Sequence, residues 1–362
     1  STTAVGYKAL NVQNAGTESY NVAVGFEAGK DILTGVQNTI LGGTAGDALT
    51  TGSYNIALGY KALSAEDTGG NSTAIGYYAL SKQNNAGNNY NIAVGHSSGA
   101  EIITGTNNVL LGGLTGGGLV GGSHNVAIGT QALFTEDGNG RNVAIGHEAL
   151  KTQNAGADAY NVAVGYQAGA ALIDGIENTL IGGNAADGLT TAKECTLIGA
   201  NTAAGQIVTG NQNTSLGRYT LYNLTDGVGN TAVGHQAMIT GVVTGDYNTA
   251  LGKDAGANIN SGIQNTLVGS YAGDALTTGH YNVAVGYGAL SSEDEHGFNV
   301  AIGRSALYAQ NAGAEAYNVA IGFYAGKDIS TSVRNVIVGG LAGEALTTGS
   351  YNTALGYDAL ST

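Results

Sequence analysis

The chain has 362 residues, of which 62 are glycine, with no proline, no tryptophan, 12 lysines and arginines and a formal net charge of −14. This composition excludes ordinary mixed domains, the missing proline excludes a collagen-like triple helix, and the steady supply of Val, Ile, Leu and Ala argues against a disordered glycine linker. The acidity, with no Lys/Arg cluster, argues against nucleic acid or an anionic membrane as partner; one cysteine rules out a disulfide framework, and no window nears the roughly 18 apolar residues of a membrane span.

A recurring phrase runs the length of the chain. Aligned on its closing glycine, 21 units end at Gly6, Gly25, Gly42 and onward to Gly356, spaced 17 to 19 residues apart. A short fixed period marks a solenoid, in which each unit buries its apolar face only against its neighbours. Three residues before the glycine stands Val, Ile or Thr, directly before it Val, Ile or Leu, and between them usually Ala. This alternation predicts a short β-strand whose aliphatic pair points into the coil. After the glycine, a small residue is followed by a large aliphatic, either at once (Leu10, Leu63, Leu80) or three residues later (Ile32, Leu49, Ile102). That pattern predicts a second strand as the opposite wall, with glycine where φ is positive or backbones approach closely. The expected fold is all-β: a parallel β-solenoid, or β-roll, of about 21 coils filling residues 1–362 as one repeat domain. One coil holds too little core to fold alone, so the stack is expected to lean on copies of itself.

Four residues before the glycine, 18 of the 21 units carry Asn, among them Asn21, Asn38, Asn55, Asn91, Asn108, Asn125, Asn142 and Asn161. At a strand spacing of roughly 4.8 Å, such amides can form a structural ladder, each bonding to the coils above and below. Cys195 fills one of these slots in "ECTLIG". It reads as a structural thiol, since a nucleophile would need a histidine and an orienting group beside it.

A longer rhythm overlies the coil. Tyr-Asn coils closing at Gly25, Gly95, Gly165, Gly252 and Gly322 lie 70, 70, 87 and 70 residues apart. Four coils therefore make a cassette of about 70 residues, with an extra coil placed near 205–245. In the second coil of each cassette the small strand residue becomes large, as Ile40, Leu110, Leu180, Leu267 and Ile337. With the aliphatic pair assigned to the interior, these five are expected to leave the core as apolar knobs that meet a neighbouring subunit. The chain opens inside a motif without an initiator Met, and its last coil is a third-position coil, so a segment of a longer fibre is expected.

The phrases "NVAIG" at Asn125, Asn142 and Asn299 and "NTAVG" at Asn230 resemble the head repeat of YadA-type trimeric autotransporter adhesins. Similar arrays occur in bacteriophage tail fibres, and the likeness covers nearly the whole chain. It implies a left-handed parallel β-roll, a homotrimer, and a role in reaching and gripping a surface. The longer coil and the four-coil cassette depart from the adhesin pattern and favour a phage tail fibre. The implied setting is a virion, with host-cell glycan or protein as the partner; a bacterial surface adhesin or extracellular filament is the alternative.

Little enzymatic chemistry is legible. A β-helix polysaccharide-degrading enzyme needs acids converging across coils, whereas here they are sparse and sit on turns. Glu66/Asp67, Glu136/Asp137 and Glu293/Asp294 recur at one point of the third coil. Each pair offers too few oxygens for Ca²⁺ and reads as a solvated turn. His96, His147 and His235 each follow a unit glycine and do not cluster. No catalytic residue, cofactor or metal is expected. Tyr7, Tyr60, Tyr77, Tyr166, Tyr287 and Tyr357 follow the glycine. They are candidates for surface or glycan contact, with packing of turns and subunit seams as the alternative.

Overall fold

The computed structural model describes residues 1–16 and 18–361. The chain is an all-β parallel β-solenoid of about 21 coils, each contributing one three-residue strand, with no helix among the described residues. Contacts group the coils into two compact units, Ser1–Asn178 and Thr179–Thr362. The first carries ten strands, from β1 (Thr3–Val5) to β10 (Val162–Val164); the second carries eleven, from β11 (Thr179–Ile181) to β21 (Thr353–Leu355). Within each unit every strand pairs in parallel with the next, slot on slot. Val22, Ala23 and Val24 lie beside Thr39, Ile40 and Leu41, and Val283, Ala284 and Val285 beside Val300, Ala301 and Ile302.

The strand faces are the reverse of the expectation. The middle residue is buried in every strand except β1, while the two flanking residues are exposed or half-buried throughout. A period of two fixes which residues share a face but not which face is inside. The asparagine decides it, because it stands two residues before the middle residue and shares its side. Its amide needs partners, and inside the coil it finds them in neighbouring backbone.

The five supposed knobs are corrected by the same inversion. Ile40, Leu110, Leu180, Leu267 and Ile337 are all 0% exposed, as is Leu197 in the same slot. Glycine across the coil makes room for them. A Cβ on Gly46 would lie 2.6 Å from Ile40 Cδ1, and one on Gly273 would lie 2.7 Å from Leu267 Cδ2. These residues are core, so they cannot serve as contacts between subunits.

Among the described residues the expected second strand does not form; the opposite wall is a succession of turns with isolated parallel bridges such as Leu189 to Val208. Beside tight-turn bonds within a coil, such as Ile32 N–H to Gly29 O at 3.2 Å, it bonds between coils, as from Glu27 N–H to Tyr7 O at 2.8 Å and from Leu10 N–H to Ala28 O at 3.1 Å. Non-glycine residues adopt left-handed backbone here, including Lys8 at φ 54° and Leu10 at φ 48°. Each such residue costs about 1–2 kcal/mol, and only the bonds to neighbouring coils offset that. This strain, together with the thin interior, explains why one coil does not stand alone. The aliphatics after the glycine interleave: a Cβ on Gly29 would meet both Ile32 Cδ1 at 2.9 Å and Leu10 Cδ2 at 3.2 Å.

The closing glycines form a column in each unit. Gly146 has φ 137°, and a Cβ there would sit 2.1 Å from Gly165 O. By contrast, Gly156 has φ 69° with nothing within 4 Å of its would-be Cβ. Gly146→Ala is therefore expected to cost about 3 kcal/mol or more, against about 1 kcal/mol for Gly156→Ala. Urea unfolding of the two variants checks this; equal losses would contradict the column as a steric constraint.

Candidate functional site

The site is best built from the interior outward. Asn38 donates from Nδ2 to Gly52 O at 2.9 Å and accepts the Asn55 N–H on Oδ1 at 2.9 Å. Asn21 does the same with Gly35 O and Asn38 N–H. Asn55 bonds Gly69 O and Ser72 N–H, while Asn91 bonds Gly105 O and Asn108 N–H. Asn108, Asn125, Asn142 and Asn161 each accept the N–H of the next coil's asparagine. All eight are buried. The ladder therefore links side chain to backbone; direct amide-to-amide bonds, such as Asn108 Nδ2 to Asn91 Oδ1 at 3.2 Å, are additional. Cys195 lies in this ladder with Sγ 3.6 Å from Gly210 O, and burial pushes its thiol pKa up, which suits packing and not nucleophilic attack.

Pinning the asparagine inward turns the flanking strand residues outward. In each unit two rows result, one of Val, Ile or Thr and the other of Val, Ile or Leu. Val5 is 57% exposed, Leu41 50% and Leu251 46%. Aromatic residues border these rows. On one side stand the tyrosines before the asparagine, including Tyr54, Tyr90 and Tyr247; on the other stand Tyr7, Tyr60, Tyr77, Tyr166, Tyr287 and Tyr357, all exposed. Many of these rings stack on each other from coil to coil. Tyr77 lies 5.6 Å from Tyr60 and 5.2 Å from His96 in stacked geometry, and Tyr166 lies 5.4 Å from His147. Tyr7 stacks on Phe26. Rings stacked this way offer edges and hydroxyls to a partner more than open faces. Tyr287 differs, meeting Tyr271 edge-on at 5.7 Å. With Asp274, Ser291 and Tyr308 these two line a shallow cleft of about 220 Å³.

The acid pairs are only half solvated: Asp137 is exposed and Asp67 and Asp294 are half-buried, but the glutamates are not on the surface. Glu66, Glu136 and Glu293 are each fully buried. Each carboxylate accepts the N–H of the residue three later, Gly69 at 2.7 Å, Asn139 at 3.2 Å and His296 at 3.1 Å, and so closes its own turn. Glu66 is further satisfied by Gln83 and Asn89. The Oε2 atoms of Glu136 and Glu293 have no hydrogen-bond partner among the described residues. Sequence reasoning missed this because an acid followed by polar residues looks like surface; the signal was the glutamine 17 residues after each glutamate. It also missed a buried hydroxyl cluster of Thr202, Ser215 and Thr220, which occupies the interior where Ser replaces the middle Ala.

No protein-family model matches the chain, and no curated protein matches it. Among the described residues no helix is long and apolar enough to cross a membrane.

Burial pushes the Glu136 carboxyl above its ordinary value. A raised carboxyl pKa means the folded state holds the proton more tightly than the unfolded chain, so stability is lost as pH rises through that raised value. Glu136→Gln removes this loss. Its melting temperature is expected to exceed that of the wild-type protein at pH 7, with the gap closing as pH falls toward about 4.3, the ordinary glutamate value. A gap independent of pH would contradict the assignment.

Proposed function

We propose that this chain is a structural fibre segment of the bacteriophage tail-fibre type, assembled as a homotrimer and used to reach and contact a host-cell surface. The observation that carries the reading is the row of Val, Ile or Leu standing outward on consecutive coils of each unit, beside a parallel row of Val, Ile or Thr. Soluble chains rarely leave a continuous apolar strip uncovered, and such a strip is a site of association. It repeats at every coil, as does the fold, so a second and third copy in the same register match it along its length, and three-fold closure covers every strip. The repeat pattern of "NVAIG" and "NTAVG" phrases supports the fibre setting by resemblance. The aromatic borders, with their outward edges and hydroxyls, and the cleft between Tyr271 and Tyr287 are the surfaces assigned to host glycan or protein.

Sedimentation equilibrium tests the assembly. The expected mass is about 108 kDa, three chains of 36.0 kDa. Replacing Val143 and Ile145, both outward, by Asp is expected to yield monomers that keep a β-rich circular dichroism spectrum, because an exposed charge costs a lone stack little. A wild-type monomer at micromolar concentration would overturn the reading.

A further inference from the structure

The turn 293–296 in the second unit differs from its counterparts in its last two residues, Glu295 and His296. Where the first two cassettes place Gly69 and Asn139, this one places His296. One carboxylate oxygen each of Glu293 and Asp294 and one ring nitrogen of His296 lie within 4.8 Å of one another.

Two features of the turn point to a missing ligand, the first shared with Glu136 of the second cassette and the second found only here among the three turns. The Glu293 side chain is 0% exposed, yet its Oε2 has no hydrogen-bond partner among the described residues; His296 Nδ1 is buried and makes no hydrogen bond, its nearest acid oxygen being Glu293 Oε1 at 3.6 Å. In the first cassette Gln83 Nε2 donates to Glu66 Oε2 at 2.9 Å. In this one the corresponding Gln310 Nε2 is itself unpartnered, so the glutamine does not satisfy the acid here. A buried carboxylate oxygen left without a donor is costly unless a cation or proton meets it.

The backbone that carries the three groups is fixed from outside. Asp294 O accepts N–H groups from Thr277 at 2.7 Å, Thr278 at 3.2 Å and Gly279 at 3.3 Å. His296 O accepts from Asn282 Nδ2 at 3.2 Å, and the His296 N–H donates to Glu293 Oε1 at 3.1 Å. A turn held this way loses little freedom when its side chains converge on an ion.

We propose that Glu293, Asp294 and His296 form a site for a divalent transition-metal ion, with zinc as the type case. Imidazole nitrogen combined with carboxylate oxygen suits zinc, nickel or cobalt, whereas calcium and magnesium favour all-oxygen shells. Three protein ligands leave the remaining positions to water. The site is independent of the fibre reading, since it draws on residues of one turn.

The test is titration of chelator-treated protein with zinc chloride by calorimetry, with cobalt(II) absorption as a second readout. The wild-type protein is expected to take up one equivalent per chain at this site and to give the visible bands of nitrogen- and oxygen-ligated cobalt. Affinity should fall at least about tenfold in His296→Asn and in Glu293→Gln, the loss typical even of supporting residues around a metal. His296→Asn places at this position the residue that the second cassette carries as Asn139, a smaller change than the loss of the buried Glu293 carboxylate, so it keeps the test open even if Glu293→Gln unfolds. His147→Asn is the control and should bind as the wild-type protein does. No saturable binding, or equal affinity in the wild type and His296→Asn, would overturn the proposal and leave a His296–Glu293 ion pair as the role of the turn.

Discussion

The asparagine that stands four residues before the closing glycine in 18 of the 21 coils ties one coil to the backbone of the next. Where both amide ends are engaged, they take an N–H and a carbonyl that the three-residue strand leaves unpaired, as Asn38 does with Asn55 and Gly52. Buried polar backbone of this kind costs about 1–3 kcal/mol per orphaned group, so the side chain is a condition of stacking. It also sets the strand's orientation: an inward amide places the middle alanine inward and the aliphatic pair outward. The glycine column then fixes how closely coils approach, since Gly146 leaves no room for a Cβ against Gly165.

From that orientation the rest follows physically. The interior is narrow and is filled by alanines, by Leu and less often Ile from the turn wall, and at Ile40, Leu110, Leu180, Leu197, Leu267 and Ile337 by a large strand residue. Hydrophobic surface that a globular protein would hide is displayed in two rows instead. Tyrosines flank these rows and stack along the coils, stiffening the borders.

Much of this was legible in the residues, and the limits are instructive. The coil count, the parallel stacking and the asparagine slots can be read from spacing, because a solenoid repeats its constraints in sequence. The inside and outside of the strand cannot be read from alternation alone. Val-Ala-Val around Ala163 fits either face, and apolar character suggests burial of the valines. The information was present in Asn161, whose parity with Ala163 decides the matter once a buried amide is granted hydrogen bonds to backbone. The turn wall was illegible for another reason. Lys8, Leu10 and Tyr20 in left-handed backbone violate single-residue preferences, and only inter-coil bonds make them affordable. Glu66, Glu136 and Glu293 looked solvated because a closed turn that caps itself has no local sequence signature beyond acid and glycine.

The claim on which the account rests is that asparagine side chains hold successive coils together through their backbone. Amide hydrogen exchange measured residue by residue tests it most directly. The N–H groups of Asn125 and Asn142, which donate to Asn108 Oδ1 and Asn125 Oδ1 at 3.0 Å, should be as protected as that of Val126, which donates to Asn142 O. Exchange of the asparagine amides at the rate of an open chain, with Val126 still protected, would contradict it.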